Sequence, residues 1–64
     1  MERKPPFKGD KFYTRNPMGI IVQCEYLRHI ELQGDCHAVQ LLEGEYHGVA
    51  YKSLEELLPK KPIQ

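Results

Sequence analysis

The longest alternating segment of the chain runs from Ile20 to Leu32 and predicts a β-strand. Its even positions are apolar with the exception of Arg28, and most of its odd positions are polar. A period of two is typical of a strand with one buried face. Because strands usually have about five or six residues, we expect a bend, bulge or split near Tyr26–Arg28 in a run this long.

Shorter segments on either side of this run predict three more strands. Lys11–Arg15 is rich in aromatic and β-branched residues, which favour strands. Asn16–Gly19 follows it as a turn, with Pro and Gly in suitable positions. Cys36–Leu42 predicts the next strand, Glu43–Glu45 the turn after it, and residues 48–51 the last strand.

The hairpin turns predict how the strands pair. Gly34–Asp35 has the composition of a two-residue hairpin turn. A turn centred there places Ile30 opposite Val39 and Arg28 opposite Leu41. The apolar positions of both strands then share one face, as a half-buried sheet requires.

The turn at Glu43–Glu45 leaves two registers to choose between. A three-residue loop with a central Gly pairs Val39 with Val49 and keeps both on the core face. A two-residue loop pairs Val49 with Gln40 instead. We therefore expect the three-residue loop.

A helical turn is expected after the last strand. Ser53 and Glu56 have the spacing of a capping box. Leu57 and Leu58 supply apolar side chains, and Pro59 ends the turn.

This layout of strand, turn, long strand, two hairpins and terminal helical turn resembles SH3-like small barrels over about residues 8–58. Residues 9–12 resemble the Gly-Asp-x-apolar step that opens such barrels, and residues 48–51 and 53–57 resemble the closing strand and its helical turn. The resemblance implies an all-β, SH3-like small barrel of four or five antiparallel strands with a short C-terminal helical turn. We divide the chain into an extended arm (1–9), the barrel (10–58) and a tail (59–64).

Known activities within this fold do not transfer to the chain. Plasmid-borne trimethoprim-resistant dihydrofolate reductases have a similar opening and final strand, but their Val-Gln-Ile-Tyr signature is Gly48-Val49-Ala50-Tyr51 here. Peptide-binding SH3 domains use an aromatic cluster with Trp, and this chain has no Trp. The resemblance therefore implies a fold and no catalytic residue.

Length and composition narrow the function classes. A chain of 64 residues buries only about 60% of its unfolded surface, and it is too short for a two-domain enzyme. It has no apolar run near the roughly 20 residues that span a bilayer, and its N-terminus does not resemble a signal peptide. Two cysteines are too few for a secreted disulfide scaffold. We expect a cytoplasmic protein with reduced thiols and no membrane partner.

Charge is balanced overall, with nine basic and nine acidic side chains, but it is unevenly distributed. Residues 1–11 and 52–64 are net basic, whereas residues 12–51 are net acidic. Nucleic-acid binders usually carry a basic stripe on the folded body, so nucleic-acid binding is the alternative function here. Its candidate residues are Lys8, Lys11, Tyr13 and Arg15.

The cysteine and histidine positions do not predict a metal site or a catalytic centre. Their spacings fit no common zinc pair, and the expected pairing of His37 with Tyr51 places His47 about 13 Å farther along the strand. Cys36 and His37 are adjacent and would point to opposite faces. Cys24 lies on the core face of its strand. We expect no enzyme activity, metal or cofactor.

The outer face of the expected barrel carries an apolar patch. The two predicted registers place Leu27 opposite Leu42 and Leu42 opposite Tyr46. Contiguous exposed apolar residues suggest a covered or binding surface. Either the N-terminal arm with Phe7 covers this patch, or a second copy does, or it docks a different protein.

We expect a non-catalytic protein-interaction module, which is a small accessory subunit, adaptor or inhibitor. It uses these three residues with Glu43 and Glu45 nearby and binds a protein partner or forms a homo-oligomer.

Overall fold

Four strands and two short 3₁₀ helices make up the fold, in a computed structural model that describes residues 6–62. Residues 1–5 of the expected arm, with their basic side chains, and residues 63–64 of the expected tail lie outside the described residues. The elements in chain order are β1 (Lys11–Arg15), β2 (Ile21–His29), η1 (Glu31–Gln33), β3 (His37–Leu41), β4 (Val49–Lys52) and η2 (Leu54–Glu56).

The strands form one antiparallel sheet in the order β1-β2-β3-β4, so the predicted all-β class is confirmed. The sheet is not closed into a barrel, and β1 and β4 form its two edges. Both helices are single 3₁₀ turns. Within residues 6–62, no helix has the length and apolar character needed to cross a membrane.

The C-terminal segment returns to the β1 edge. Leu58 forms an isolated antiparallel bridge with Tyr13, and the two residues exchange backbone hydrogen bonds of 2.8 Å. The predicted helical turn precedes this bridge, and the N–H of Ser53 donates to the Glu56 carboxylate at 3.1 Å. One edge of the sheet is therefore partly covered by the chain itself.

The irregularity expected near Tyr26–Arg28 is confirmed. The β2–β3 register shifts between Tyr26 and Arg28, so Leu27 is the bulged residue. β2 ends at His29, however, and the chain then enters η1. Leu32, which the alternation placed in the strand, is 99% exposed.

The predicted β2–β3 register is wrong by four residues. Leu41 lies opposite Cys24 rather than Arg28, and Val39 lies opposite Tyr26 rather than Ile30. The loop between the strands holds η1 and is longer than the expected two-residue turn. Up to the bulge this even shift keeps each residue on its predicted face, because side chains alternate with a period of two. Beyond the bulge, Arg28 pairs with Ala38 and His29 with His37, a shift of three residues.

The predicted β3–β4 register is wrong by one residue. Val49 pairs with Gln40, and Ala50 pairs with Val39. This is the register that the sequence analysis set aside. Residues 42–48 form a wide loop rather than a three-residue turn, so the shift is odd and reverses the faces of β4.

The core lies on the inner face of the sheet, under η2 and the residues that follow it. Its fully buried part is the cluster Val22, Cys24, Tyr26, Val39, Leu41 and Leu57, with Phe12, Ala50 and Leu54 packed against it. Cover of the outer patch by the arm with Phe7 was one of the expected alternatives, but Phe7 is 68% exposed. Its backbone belongs to a local turn. The N–H of Phe7 donates to the Asp10 carboxylate at 2.9 Å, and the N–H of Asp10 donates to the Phe7 carbonyl at 3.0 Å.

The turn between β1 and β2 forms as predicted. The N–H of Gly19 donates to the carbonyl of Asn16 at 2.8 Å, and Gly19 has a φ of 82°. The buried Asn16 side chain accepts hydrogen bonds from the N–H groups of Met18 and Ile20. These hydrogen bonds close the turn that joins β1 to β2.

Candidate functional site at the open edge of the sheet

The backbone of β4 offers unpaired hydrogen-bonding groups at the edge of the sheet. The N–H of Leu41 donates to the carbonyl of Gly48 at 3.1 Å. Paired residues in an antiparallel ladder alternate between bonded and non-bonded pairs, so Ala50 bonds to β3 as well. The N–H and C=O groups of Val49 and Tyr51 therefore point away from the sheet. Among residues 6–62, no strand lies beyond β4 on that side.

The side chains of the same two residues lie on the outer face. Val49 is 48% exposed and Tyr51 is 63% exposed. Val49 pairs with the half-buried Gln40, and Tyr51 pairs with the buried Ala38. Backbone groups and apolar side chains that could receive another strand thus coincide on β4. We call Val49, Tyr51 and their outward backbone groups the β4 edge.

The predicted patch of Leu27, Leu42 and Tyr46 is not assembled by the pairings on which it was based. Leu42 lies beside Gln23, since its N–H donates to the Gln23 carbonyl at 2.9 Å. Leu27 is in the bulge, four positions farther along β2. Tyr46 is 41% exposed in the loop before β4.

The acidic residues of that prediction, Glu43 and Glu45, are both exposed in the loop between β3 and β4. They lie in the same loop as Tyr46, close in sequence to the β4 edge. Their role in approaching a partner stays a prediction.

The candidate nucleic-acid residues lie on and before β1, away from the β4 edge. Lys11, Tyr13 and Arg15 alternate along β1 and share its outer face. Lys11 forms an ion pair with Glu25 at 3.7 Å, and the Arg15 guanidinium donates to the Gly19 carbonyl at 2.6 Å. Lys8 is exposed in the turn before β1. Two of these three cations therefore already have partners within the chain.

A polar network lies where β2 ends and β3 begins. The Tyr26 hydroxyl is 2.9 Å from Nδ1 of His37, and Nε2 of His37 is 2.9 Å from Oδ1 of Asp35. The Asp35 carboxylate accepts, so Nε2 of His37 carries the proton of that bond, and Nδ1 is the ring nitrogen that faces the tyrosine hydroxyl. Oδ1 of Asp35 also accepts from the N–H of Leu54 at 3.1 Å. The network thus joins β2, β3 and η2.

The electrostatics of this network follow from burial and hydrogen bonding. The Leu54 N–H, followed by the His37 side chain, lowers the pKa of Asp35 below its ordinary value. Burial raises the pKa of Tyr26. Tyr26 and His37 are 4% and 7% exposed, so a substrate could reach only the Asp35 end. The arrangement is suited to holding the loop and η2 against the sheet.

His29 covers the network on its solvent side. It lies opposite His37 in the sheet, and the two rings stack with centroids 4.7 Å apart. Nε2 of His29 donates to the Gly34 carbonyl at 2.6 Å. The expected pairing of His37 with Tyr51 is wrong, because His37 lies opposite Lys52. Nδ1 and Nε2 of His37 and Nε2 of His29 therefore all form hydrogen bonds within the chain.

The two cysteines differ in environment. Cys24 is fully buried, as its position on the core face predicted, and burial raises the pKa of its thiol to about 11. A neutral buried thiol is a poor nucleophile. Cys36 is half-buried, and both cysteines are free thiols.

A shallow groove of about 410 Å³ lies between β1, β2 and the C-terminal segment. Its lining includes two basic side chains, Arg15 and Lys52, and two acidic side chains, Glu55 and Glu56. Opposite charges in equal number do not favour either an anion or a cation as ligand. The hydroxyl of Thr14, which lines the groove, is buried and makes no hydrogen bond.

Sequence reasoning missed the β4 edge and the stacked histidines for related reasons. Val49 faces outward because the loop before β4 is wider than the predicted turn. In the sequence, the only signal for this edge is that the apolar residues Val49 and Tyr51 alternate along the strand. Pairing His29 with His37 required both the longer loop and the bulge between Tyr26 and Arg28, which together shift the register there by three residues.

Comparison with known proteins found no matching family model, no matching curated protein and no matching solved structure.

Proposed function

We propose that the chain is a non-catalytic protein-interaction module that binds a polypeptide strand at the β4 edge. The observation that carries this proposal is the coincidence of outward backbone groups and exposed side chains at Val49 and Tyr51. A strand that adds to a sheet edge gains main-chain hydrogen bonds, and its alternate side chains contact the neighbouring strand.

The first three residues of β4 lack the features that protect an exposed edge, and the only charged residue of the strand is Lys52 at its end. Proteins often protect an exposed edge with Pro, a bulge or an inward-pointing charge. The sequence Val49-Ala50-Tyr51 has no Pro and no charge, and β3–β4 pairing has no register shift. Tyrosine is also enriched in protein interfaces because it combines apolar area with a hydroxyl.

Some residues of the outer-face patch predicted from the sequence lie near the β4 edge and support this proposal. Tyr46, Glu43 and Glu45 belong to the exposed loop before β4, where carboxylates can steer the approach of a basic partner. Leu27 and Leu42 are half-buried on the outer face and would lie inside a wider contact that reaches across β3.

We also infer a relation to SH3-like barrels. The bridge between Leu58 and Tyr13 supports it, because it brings the end of the chain back to the first strand. The order of four consecutive antiparallel strands followed by a 3₁₀ turn supports it as well.

Photo-crosslinking in the native host tests the proposed function. A benzophenone amino acid is placed at Tyr51, and at Leu32 as the control, because Leu32 is also exposed but lies in η1. We expect protein adducts from position 51 that are absent from position 32. Binding of the identified partner should then be lost in a Val49→Lys/Tyr51→Lys variant. Equal adducts from both positions, or unchanged binding in that variant, would contradict the proposal.

Nucleic-acid binding is the second candidate, and one observation favours it. Lys11, Tyr13 and Arg15 share the outer face of β1, an arrangement in which bases can stack beside cations. Fluorescence anisotropy with single-stranded DNA and RNA distinguishes it. Only this function predicts binding that weakens steeply as salt rises and that is lost in Tyr13→Ala.

A further inference from the structure

We propose that the strand received by the β4 edge is the β4 strand of a second copy of this chain. The two strands would pair antiparallel around a two-fold axis at Ala50. This inference rests on the proposed function and names the partner for the same edge.

Hydrogen-bonding capacity selects one register from three. Outward backbone groups alternate, so an antiparallel symmetric pair can centre on Val49, Ala50 or Tyr51. Centring on Ala50 pairs Val49 with the partner subunit's Tyr51 twice. The backbone groups of both residues point outward, so this register forms four main-chain hydrogen bonds.

The other two registers require groups that already have partners. Centring on Tyr51 pairs Val49 with the partner subunit's Ser53, but the N–H of Ser53 donates to Glu56 and its carbonyl accepts from Glu56. Centring on Val49 pairs Tyr51 with the partner subunit's His47, whose carbonyl accepts from the Gln40 side chain. Each of these registers competes with bonds inside the chain.

The side chains are also complementary in the Ala50-centred register. The rotation keeps the outer faces of both sheets on the same side, so each Val49 lies beside the partner subunit's Tyr51. Pairs of an aromatic and a β-branched residue are favourable across antiparallel strands. Lys52 lies opposite the partner subunit's Gly48, so this pairing brings no like charges directly together.

The paired sheet would be continuous over eight strands, four from each copy. The contact is small, because β4 has four residues. A contact of this size is characteristic of a weak complex, so we expect a dimer whose population rises with protein concentration.

Sedimentation equilibrium of the purified chain measures self-association directly. We expect the apparent mass to rise from one chain toward two as concentration increases. Val49→Lys/Tyr51→Lys should weaken the association by about tenfold or more, and Leu32→Lys should leave it unchanged. A single-chain mass at every concentration, or equal weakening by Leu32→Lys, would overturn the proposal.

Single cysteines determine the register. In a Cys36→Ser background, Val49→Cys, Ala50→Cys and Tyr51→Cys are each oxidised with oxidised glutathione and separated without reductant. Facing residues of a non-bonded antiparallel pair have Cα atoms about 4.5 Å apart, within the range of a disulfide. We expect a cross-linked dimer only from Ala50→Cys. The Cα atoms of residue 49 in the two copies would be about 8 Å apart, which is too far for a disulfide. Preferential cross-linking at 49 or 51 would overturn the assignment of the axis.

Amide exchange followed by NMR gives a readout on the unmodified chain. Protection of the Val49 and Tyr51 amides should increase with concentration, whereas the Ala50 amide should be protected throughout because it bonds to β3. Concentration-independent exchange at all three would contradict self-pairing. If photo-crosslinking at Tyr51 nevertheless captures a different protein, the proposed function stands and only the second copy is rejected.

Discussion

The two edges of the sheet differ in how their backbone groups are satisfied. At β1, Tyr13 exchanges two hydrogen bonds with Leu58, and the adjacent Leu57 is fully buried in the core. At β4, the outward groups of Val49 and Tyr51 have no strand beside them among residues 6–62. The side chains there are about half-exposed or more.

This difference shows how a short chain divides its apolar residues. A core of this size is too small to bury every large side chain. Leu57 is used to hold the C-terminal segment over one edge, whereas Val49 and Tyr51 remain outside the core and leave the other edge available. Substitutions at the two edges should therefore affect different properties, namely folding stability at β1 and association at β4.

Leu57→Ala should have the largest effect, because it removes the side chain that holds the covered edge. Truncating a fully buried leucine costs about 2–5 kcal/mol of unfolding free energy, a large share of the stability of a small domain. Urea denaturation measures it. Tyr51→Ala on the open edge is the matched control, and its cost in the monomer should be within about 0.5 kcal/mol. Similar losses in both variants would remove the distinction between the edges.

A proline at each edge should give the next largest difference. Leu58→Pro removes the N–H that donates to the Tyr13 carbonyl and should cost about 1–3 kcal/mol of unfolding free energy. The preceding residue, Leu57, is already extended at φ −96° and ψ 103°, which is compatible with a following proline.

Val49→Pro is the control, since it removes an N–H that points away from the sheet. It should lower the free energy of unfolding of the dilute monomer less than Leu58→Pro does, because an edge position with an outward N–H tolerates Pro, and it should abolish self-association. Thermal or urea unfolding at low concentration measures the first effect, and sedimentation measures the second. A larger loss of stability for Val49→Pro than for Leu58→Pro would show that the two edges are assigned the wrong way round.

Acid should weaken the covered edge selectively, and this is the smallest effect. The pKa of Asp35 is lowered in the folded state, so its ionised form adds stability above the unfolded pKa, near 3.8. That contribution is lost as the pH falls from about this value through the lower folded pKa. Because Asp35 accepts from Leu54 in η2, the protection factor of the Leu58 amide, which compares its exchange with the intrinsic rate at the same pH, should fall over this pH range.

Asp35→Asn is the test of that pH dependence. Asparagine keeps an oxygen that can accept from Leu54 but has no carboxylate to titrate. In urea denaturation, the stability of the variant should fall less than that of the original chain as the pH is lowered from about 3.8. An unchanged acid dependence would assign the effect to other carboxylates.

Local sequence signals correctly located most of the elements. Lys11–Arg15 is a strand with the predicted bounds, and the turn at Asn16–Gly19 forms as expected. The bulge at Tyr26–Arg28 and the 3₁₀ turn after Ser53 were also predicted. Each of these features depends on residues close together in sequence, such as the Asn16 side chain that caps its own turn.

The pairing between strands was predicted less well, and the two errors have different consequences. The β2–β3 shift of four residues before the bulge left Cys24 and Val39 on the core face, and the shift of three beyond the bulge placed His29 opposite His37. The β3–β4 shift of one residue exchanged the faces of β4 and turned Val49 outward. The candidate site changed with the second error, because it depends on which side of β4 meets solvent.

The sequence by itself determined where strands begin and end to within a few residues, and which face of β2 and β3 is buried. A period-two pattern contains this information, because neighbouring side chains point to opposite faces. It does not contain the register, because any even shift satisfies the same pattern. Tertiary structure decided the register through contacts between distant residues: the Tyr26–His37–Asp35 network, the stacked histidines and the burial of Leu57. The burial of Leu57 and the adjacent bridge from Leu58 to Tyr13 cover the β1 edge, whereas no strand among residues 6–62 lies beyond β4.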